Sequence, residues 1–253
     1  MSRRKKSLVV YLTAGFPNAA TFLKAVQVAK DSGADLLEVG LPFSDPVADG
    51  PVIQETSRRA ISNGVDFDRT LNLSAKLPAG LPRVLMTYSN PLFVRGWANS
   101  FSQINLAGYS GCVIPDLPAE ELFPLLPLKP NHEFYLVPFV APTTSLERLT
   151  SVAAAARDGA FIYLVSLRGI TGAKLSPGAS HDLASVIAAL RRQTHASIYV
   201  GFGVSSGADA ARFAKISDGV IVGSAALKAL TRGLKPFARL IAELRKSIDG
   251  VSE

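Results

Sequence analysis

Two hydrophobic periods alternate along this chain. Short apolar runs recur as LVVYLT, DLLEVG, RVLMTY, GCVIP, FYLVPFV, FIYLVS, SIYVGF and GVIVG, each closed by glycine, proline or polar residues. Between them apolar positions return every three to four residues, which predicts helices over 19–32, 52–63, 67–75, 92–107, 119–126, 146–157, 183–194, 208–215 and 236–248. Runs bare of polar alternation belong to strands covered on both faces, and strands separated by helices pair in parallel. Eight such units close into a (β/α)8 TIM barrel, although an open doubly wound sheet carries the same alternation. TAGFPN follows the first run where the dinucleotide-binding open sheet would place GxGxxG, which favours the barrel. No linker or low-complexity tract divides the chain, so the expectation is a single domain over 1–253 with a basic tail at 1–7.

Composition narrows the class. With 253 residues, 48% of them apolar, the chain has enough material for one large core rather than two small ones. The single cysteine, Cys112, sits in the apolar run GCVIP and has no partner for an internal disulfide, which suits a reducing cytoplasm. SRRKK before SLVVYLTAG copies the start of a secretory signal, but the apolar run is short and ends at Gly15-Phe16-Pro17 without a cleavage motif. No stretch has the length needed to span a bilayer.

The net charge of +7 raises the question of nucleic acid. Part of the excess is the cluster Arg3, Arg4, Lys5 and Lys6; Arg191, Arg192, Lys228, Arg232, Lys235, Arg239, Arg245 and Lys246 fall mostly on exposed helix faces. No RNA-binding or helix-turn-helix signature accompanies them, whereas a small anionic substrate is compatible with the balance. His132, His181 and His195 are far apart and form no metal-ligand spacing, and Cys112 has no neighbouring base, so neither a metal nor a covalent intermediate is expected.

One carboxylate breaks the apolar pattern. Glu38 lies inside the second strand run, and the loop after it, PFSDPVADGP, adds Asp45 and Asp49. A carboxyl in a low-dielectric wall exchanges protons nearer neutral pH than a solvated one, and an aspartate just beyond it can stay ionised, which makes an acid–base pair. The competing reading is structural: a strand glutamate paired with a cation, and aspartates setting turns beside proline and glycine. Placement favours chemistry, because a barrel of this kind holds its catalytic groups at strand C-termini and in the loops that follow. The sixth, seventh and eighth strands end in GITG, GFG and VGS, with Thr171, Gly172, Phe202, Gly203, Gly223 and Ser224. Glycines at these points let backbone N–H groups approach a phosphate, and a helix starting after Ser224 adds a favourable dipole. Tyr88, Tyr163 and Phe202 would line the mouth.

LLEVGLPFSDPVADGPVIQ, MTYSNPL, VIPDLPAEE, APTTS, GITGA, VGFGVSS and DGVIVGSA follow one another over nearly the whole chain, and together they resemble the tryptophan synthase alpha chain family. The resemblance implies a barrel lyase that cleaves indole-3-glycerol phosphate to indole and glyceraldehyde 3-phosphate and passes indole to a beta chain in an α2β2 assembly. Pyridoxal phosphate is expected in that beta chain and no cofactor in this one. By motif position the catalytic carboxylates fall on Glu38 and Asp49, substrate-lining positions on Tyr11, Tyr88, Tyr163 and Phe202, and the phosphate loops on Gly172, Gly203, Gly223 and Ser224. Thr171 corresponds to a loop residue that closes over the site, and Pro42 and Asp45 to the partner interface. Three departures stand out: the family's N-terminal helix is missing or reduced to the basic tail, Leu167 and Arg168 stand where the family more often has a small or hydroxyl residue, and the following AKLSPGAS loop with Lys174 is unusual. These leave a second expectation open, an alpha chain of weak catalysis that serves mainly to activate the beta chain. A different phosphosugar barrel enzyme is a third reading resting on fold analogy alone.

Overall fold

The computed structural model describes residues 5–141, 143–156, 161–166 and 183–251. Among these residues nine strands form one sheet: β1 (Ser7–Thr13), β2 (Leu36–Gly40), β3 (Arg83–Met86), β4 (Gly111–Val113), β5 (Tyr135–Val137), β6 (Phe139–Val140), β7 (Ile162–Val165), β8 (Ile198–Gly201) and β9 (Gly219–Val222). They run in the order β5-β4-β3-β2-β1-β9-β8-β7-β6, with every pairing parallel. The ninth strand is the expected fifth run divided in two. Pro138 has no N–H to donate to a ladder, so FYLVPFV breaks there. Its first half pairs with β4 and its second with β7, and the Pro138 carbonyl accepts from the Tyr163 N–H at 3.0 Å. The two sheet edges are therefore joined by the chain itself, which closes the cylinder.

Helices cover the outside: α1 (Ala19–Asp31), α2 (Pro51–Ser62), α3 (Phe67–Ser74), α4 (Ser89–Arg95), α5 (Trp97–Leu106), α6 (Ala119–Leu122), α7 (Arg148–Ala155), α8 (Leu183–Arg191), α9 (Gly207–Ala214), α10 (Ser224–Thr231) and α11 (Leu234–Asp249). Local signals start several of them. Asn18, Asp66 and Ser206 cap α1, α3 and α9 by accepting from the backbone N–H groups of Thr21, Arg69 and Asp209, and Pro51 occupies the first position of α2. The helix expected over 92–107 is two helices. Gly96, at φ 82°, takes a conformation closed to most side chains and turns the chain between α4 and α5. The helix expected over 119–126 stays α-helical only to Leu122 and continues as a 3-10 turn over Phe123–Leu128, which carries Pro124 and Pro127. Among the described residues no helix is long and apolar enough to cross a membrane.

The N-terminal end of the cylinder is held by charge. Asp35, just before β2, accepts from Lys5 at 2.9 Å, from the Leu8 N–H at 2.8 Å and from Arg245 of α11 at 2.8 Å. Arg245 also donates to the Lys6 carbonyl and to Asp249, so one buried guanidinium ties the last helix to the first strand. Lys6 donates to the Ser217 carbonyl, and Ser7 is already part of β1, so the basic segment is anchored from Lys5 onward.

Candidate active site

At the opposite end of the cylinder two carboxylates, Glu38 and Asp49, form no ion pair among the described residues. Tyr11, Glu38 and Val84 are in register on β1, β2 and β3, so their side chains share the inward face. Glu38 is 0% exposed, and neither carboxylate oxygen has a hydrogen-bond partner among the described residues. Burial, and then the charge of Asp49, push its pKa up to about 8. Asp49 sits in the loop between β2 and α2, half-buried, with Oδ1 shielded and unpartnered. Burial raises it to about 6, while a hydrogen bond from Tyr88 favours its charged form. At neutral pH the pair is therefore one protonated and one ionised carboxyl, the separation an acid–base couple requires. Among the described residues the structural alternative for Glu38, a paired strand glutamate, does not occur.

Tyr88 follows β3 and supports the loop. Its hydroxyl accepts from the Ala48 N–H at 3.0 Å, and its ring stacks on Phe43 at 5.3 Å. Across the cylinder, Tyr163 on β7 stacks on Phe139 and meets the edge of Phe202. Two tyrosines lean over bare glycines. A Cβ on Gly40 would overlap the Tyr11 hydroxyl, and one on Gly201 would overlap that of Tyr163. Gly40 is two residues beyond Glu38 on the same strand face, so the Tyr11 ring lies over the carboxyl on the side of the strand C-termini. Burial first, and Asp49 after it, keep the Tyr11 hydroxyl neutral; burial and then Glu38 do so for Tyr163.

Above this layer opens a cavity of about 690 Å³, lined by Tyr11, Tyr163 and Phe202 on one side and by Gly203, Gly223 and Ser224 on the other. Phe202 has φ 64°, rare for an aromatic residue, and its carbonyl accepts from Ser166 at 2.5 Å, which fixes the turn into Gly203. Gly223 caps α10 without a side-chain hydrogen bond, leaving the first N–H groups of that helix for a ligand. Glu38, Asp49 and Tyr88 do not line the cavity itself: Glu38 lies beneath Tyr11, and Tyr88 backs Asp49 instead of meeting the space directly. Access from the cavity to Glu38 thus passes the Tyr11 ring.

Thr171 and Gly172, with Arg168 and Lys174, lie outside the described residues. Pro42 is buried, and Asp45 is exposed and accepts from Ser44. Sequence reasoning missed Ile53, Met86, Ser205 and Ile221 among the lining residues, and it placed Lys228, Arg232 and Arg239 on helix faces without relating them to a site. The apolar ones carry no chemistry to mark them. The basic ones are marked by charge alone, which is common on helices.

The model of the family described as "Tryptophan synthase alpha chain" matches residues 1–250. The chain is 41% identical over 237 residues to a tryptophan synthase alpha chain of Chloroflexus aggregans, covering 92% of this chain and 87% of that relative. It superposes on ligand-free tryptophan synthase from M. tuberculosis with a TM-score of 0.85 at 33% identity, over 97% of this chain and 94% of the other. A tryptophan synthase alpha chain of Legionella pneumophila gives a TM-score of 0.85 at 32% identity, covering 99% and 94%.

Proposed function

The chain belongs to the tryptophan synthase alpha chain family, and from that premise we propose that Glu38 and Asp49 carry its chemistry. It is a lyase that cleaves indole-3-glycerol phosphate to indole and glyceraldehyde 3-phosphate, with indole passing to the beta chain. The observation that carries the residue assignment is the unpaired, fully buried carboxyl of Glu38 beside a less perturbed Asp49.

Cleavage requires a proton on indole C3, loss of a proton from the adjacent glycerol hydroxyl, and relief of positive charge at the indole nitrogen. Glu38, protonated at neutral pH, donates to C3. As the bond from C3 to the glycerol carbon breaks, its electrons return to the ring, the hydroxyl carbon becomes the aldehyde, and Glu38 takes back the hydroxyl proton. The carboxyl ends as it began. Asp49, ionised, accepts the indole N–H and stabilises the cation formed by protonation. Tyr11, Tyr163 and Phe202 hold the ring, and the backbone N–H groups at Gly203, Gly223 and Ser224 hold the phosphate, with Gly172 assigned to the phosphate loops beside them and Thr171 to the closing loop. The pyridoxal phosphate of the assembly is assigned to the beta chain.

The loop with Pro42 and Asp45 is assigned to the beta-chain interface in an α2β2 assembly, in the cytoplasm. Val47, Phe93 and Val94 support this reading: they are 82%, 68% and 73% exposed in the segments after β2 and β3. The test is release of indole from indole-3-glycerol phosphate, with and without a beta chain. Release that rises when the beta chain is added is expected. No release under either condition would sink the catalytic assignment and leave activation of the beta chain as the role.

A further inference from the structure

The cavity does not end at the glycine loops. It continues between α10 and α11, where its wall includes Lys228, Arg232, Arg239 and Glu243. Lys228 and Arg232 stand one turn apart, at the end of the helix whose start faces the cavity, and Arg239 comes from the helix packed against it. All three cations are exposed, and none forms an ion pair or side-chain hydrogen bond among the described residues. The one acid on this wall, Glu243, is already engaged, accepting from the Gly207 N–H at 3.1 Å. Among the described residues six other arginines, Arg58, Arg95, Arg148, Arg191, Arg212 and Arg245, do find carboxylates. Three unpaired cations on one cavity wall give that wall a positive field, and a cleft focuses such a field toward an approaching anion.

We propose that Lys228, Arg232 and Arg239 form an outer anion subsite, which captures the substrate's phosphate at the cavity mouth and delivers it to the backbone N–H groups of the glycine loops. The inference rests on the proposed reading that those loops hold the phosphate. It also gives the basic excess of the chain a local task. The subsite supplies charge without fixed geometry, and the loops supply geometry without net charge, so the phosphate is attracted by one and oriented by the other.

The test replaces all three residues in the full chain (K228Q/R232Q/R239Q) and follows indole release at low and high salt, with calorimetric binding of glycerol 3-phosphate as a readout independent of turnover. At about 0.01 M salt, where the screening length is about 30 Å, kcat/KM should fall about tenfold, with KM bearing most of the loss. At about 1 M salt the two proteins should converge. Glycerol 3-phosphate affinity should weaken in parallel. The charge-retaining variant K228R/R232K/R239K should keep both properties, and it remains decisive if the neutral variant does not fold: loss of phosphate affinity with charge retained overturns the proposal. Equal kcat/KM and equal phosphate binding at low salt in the neutral variant overturn it as well. If the wild-type chain releases no indole yet binds glycerol 3-phosphate in a manner dependent on the three cations, the lyase assignment fails and the subsite stands.

Discussion

Asp35 and Glu38 are three residues apart on one stretch of chain and live in opposite circumstances. Asp35 enters β2 at the N-terminal end of the cylinder, where Lys5, Arg245 and the Leu8 N–H satisfy it. Glu38 points into the cylinder with neither oxygen bonded to a described residue and its pKa raised to about 8. A carboxylate given partners becomes a staple between distant segments; denied them, it becomes a proton donor held ready at neutral pH. The same strand therefore divides stability and chemistry between its two ends, as the barrel architecture does at large.

The largest effect that would break this comparison is on turnover. Glu38→Gln and Asp49→Asn should each slow indole release by at least about a hundredfold while the far-ultraviolet circular dichroism stays native, a loss typical of missing acid–base catalysis. Wild-type rates in either variant would remove that residue from the mechanism.

The second effect is on stability and runs the other way. Because the Glu38 pKa lies near 4.5 unfolded and about 8 folded, the native state holds a proton that the unfolded state releases between those values, and wild-type stability falls as pH rises through that window. At pH 7 the cost is about 3 kcal/mol, so Glu38→Gln should gain on wild type by up to about that amount from pH 4 to pH 7 in urea denaturation. Parallel stability curves for the two proteins would mean that the carboxyl is not held neutral by the fold.

At the other end the signs reverse. Arg245→Met strips Asp35 of its buried partner and should cost about 2 kcal/mol, discounted from a fully buried pair because Asp35 is partly solvated, with turnover per folded molecule within about twofold of wild type. Lost turnover at unchanged stability would contradict the division of labour. The smallest and most graded effect is the pH profile. As Asp49 ionises through about 6, kcat/KM should rise, and it should fall as Glu38 loses its proton through about 8, by about tenfold per pH unit on each limb. A profile flat across pH 5 to 9 would reject the paired assignment.

What local pattern determines was legible in the chain. The parallel alternation follows from strands without polar faces, and the ends of α2 and α11 fall close to where periodicity puts them, because caps and apolar spacing are properties of neighbouring residues. Glu38 and Asp49 stood out as carboxylates at a strand and in the loop after it, and the run E-x-G-x-PFSDP-x-ADGP carried the family resemblance. Where a single residue overrode a periodic pattern, the reading blurred: Gly96 cut one helix in two and Pro138 divided one strand.

Only the tertiary structure decided which charges meet. Nothing in the spacing of Lys5, Asp35 and Arg245 announces a cluster, since Asp35 and Arg245 come together only when α11 packs across the end of the cylinder. That no described residue partners Glu38 is likewise a fact about the elements around it, not about the strand that carries it. The seating of Tyr11 over Gly40 and the convergence of Lys228, Arg232 and Arg239 on one wall are of the same kind. Sequence sets local preference through backbone sterics and side-chain period, whereas partnership and desolvation depend on closure of the cylinder, which brings residues from distant parts of the chain within a few ångströms.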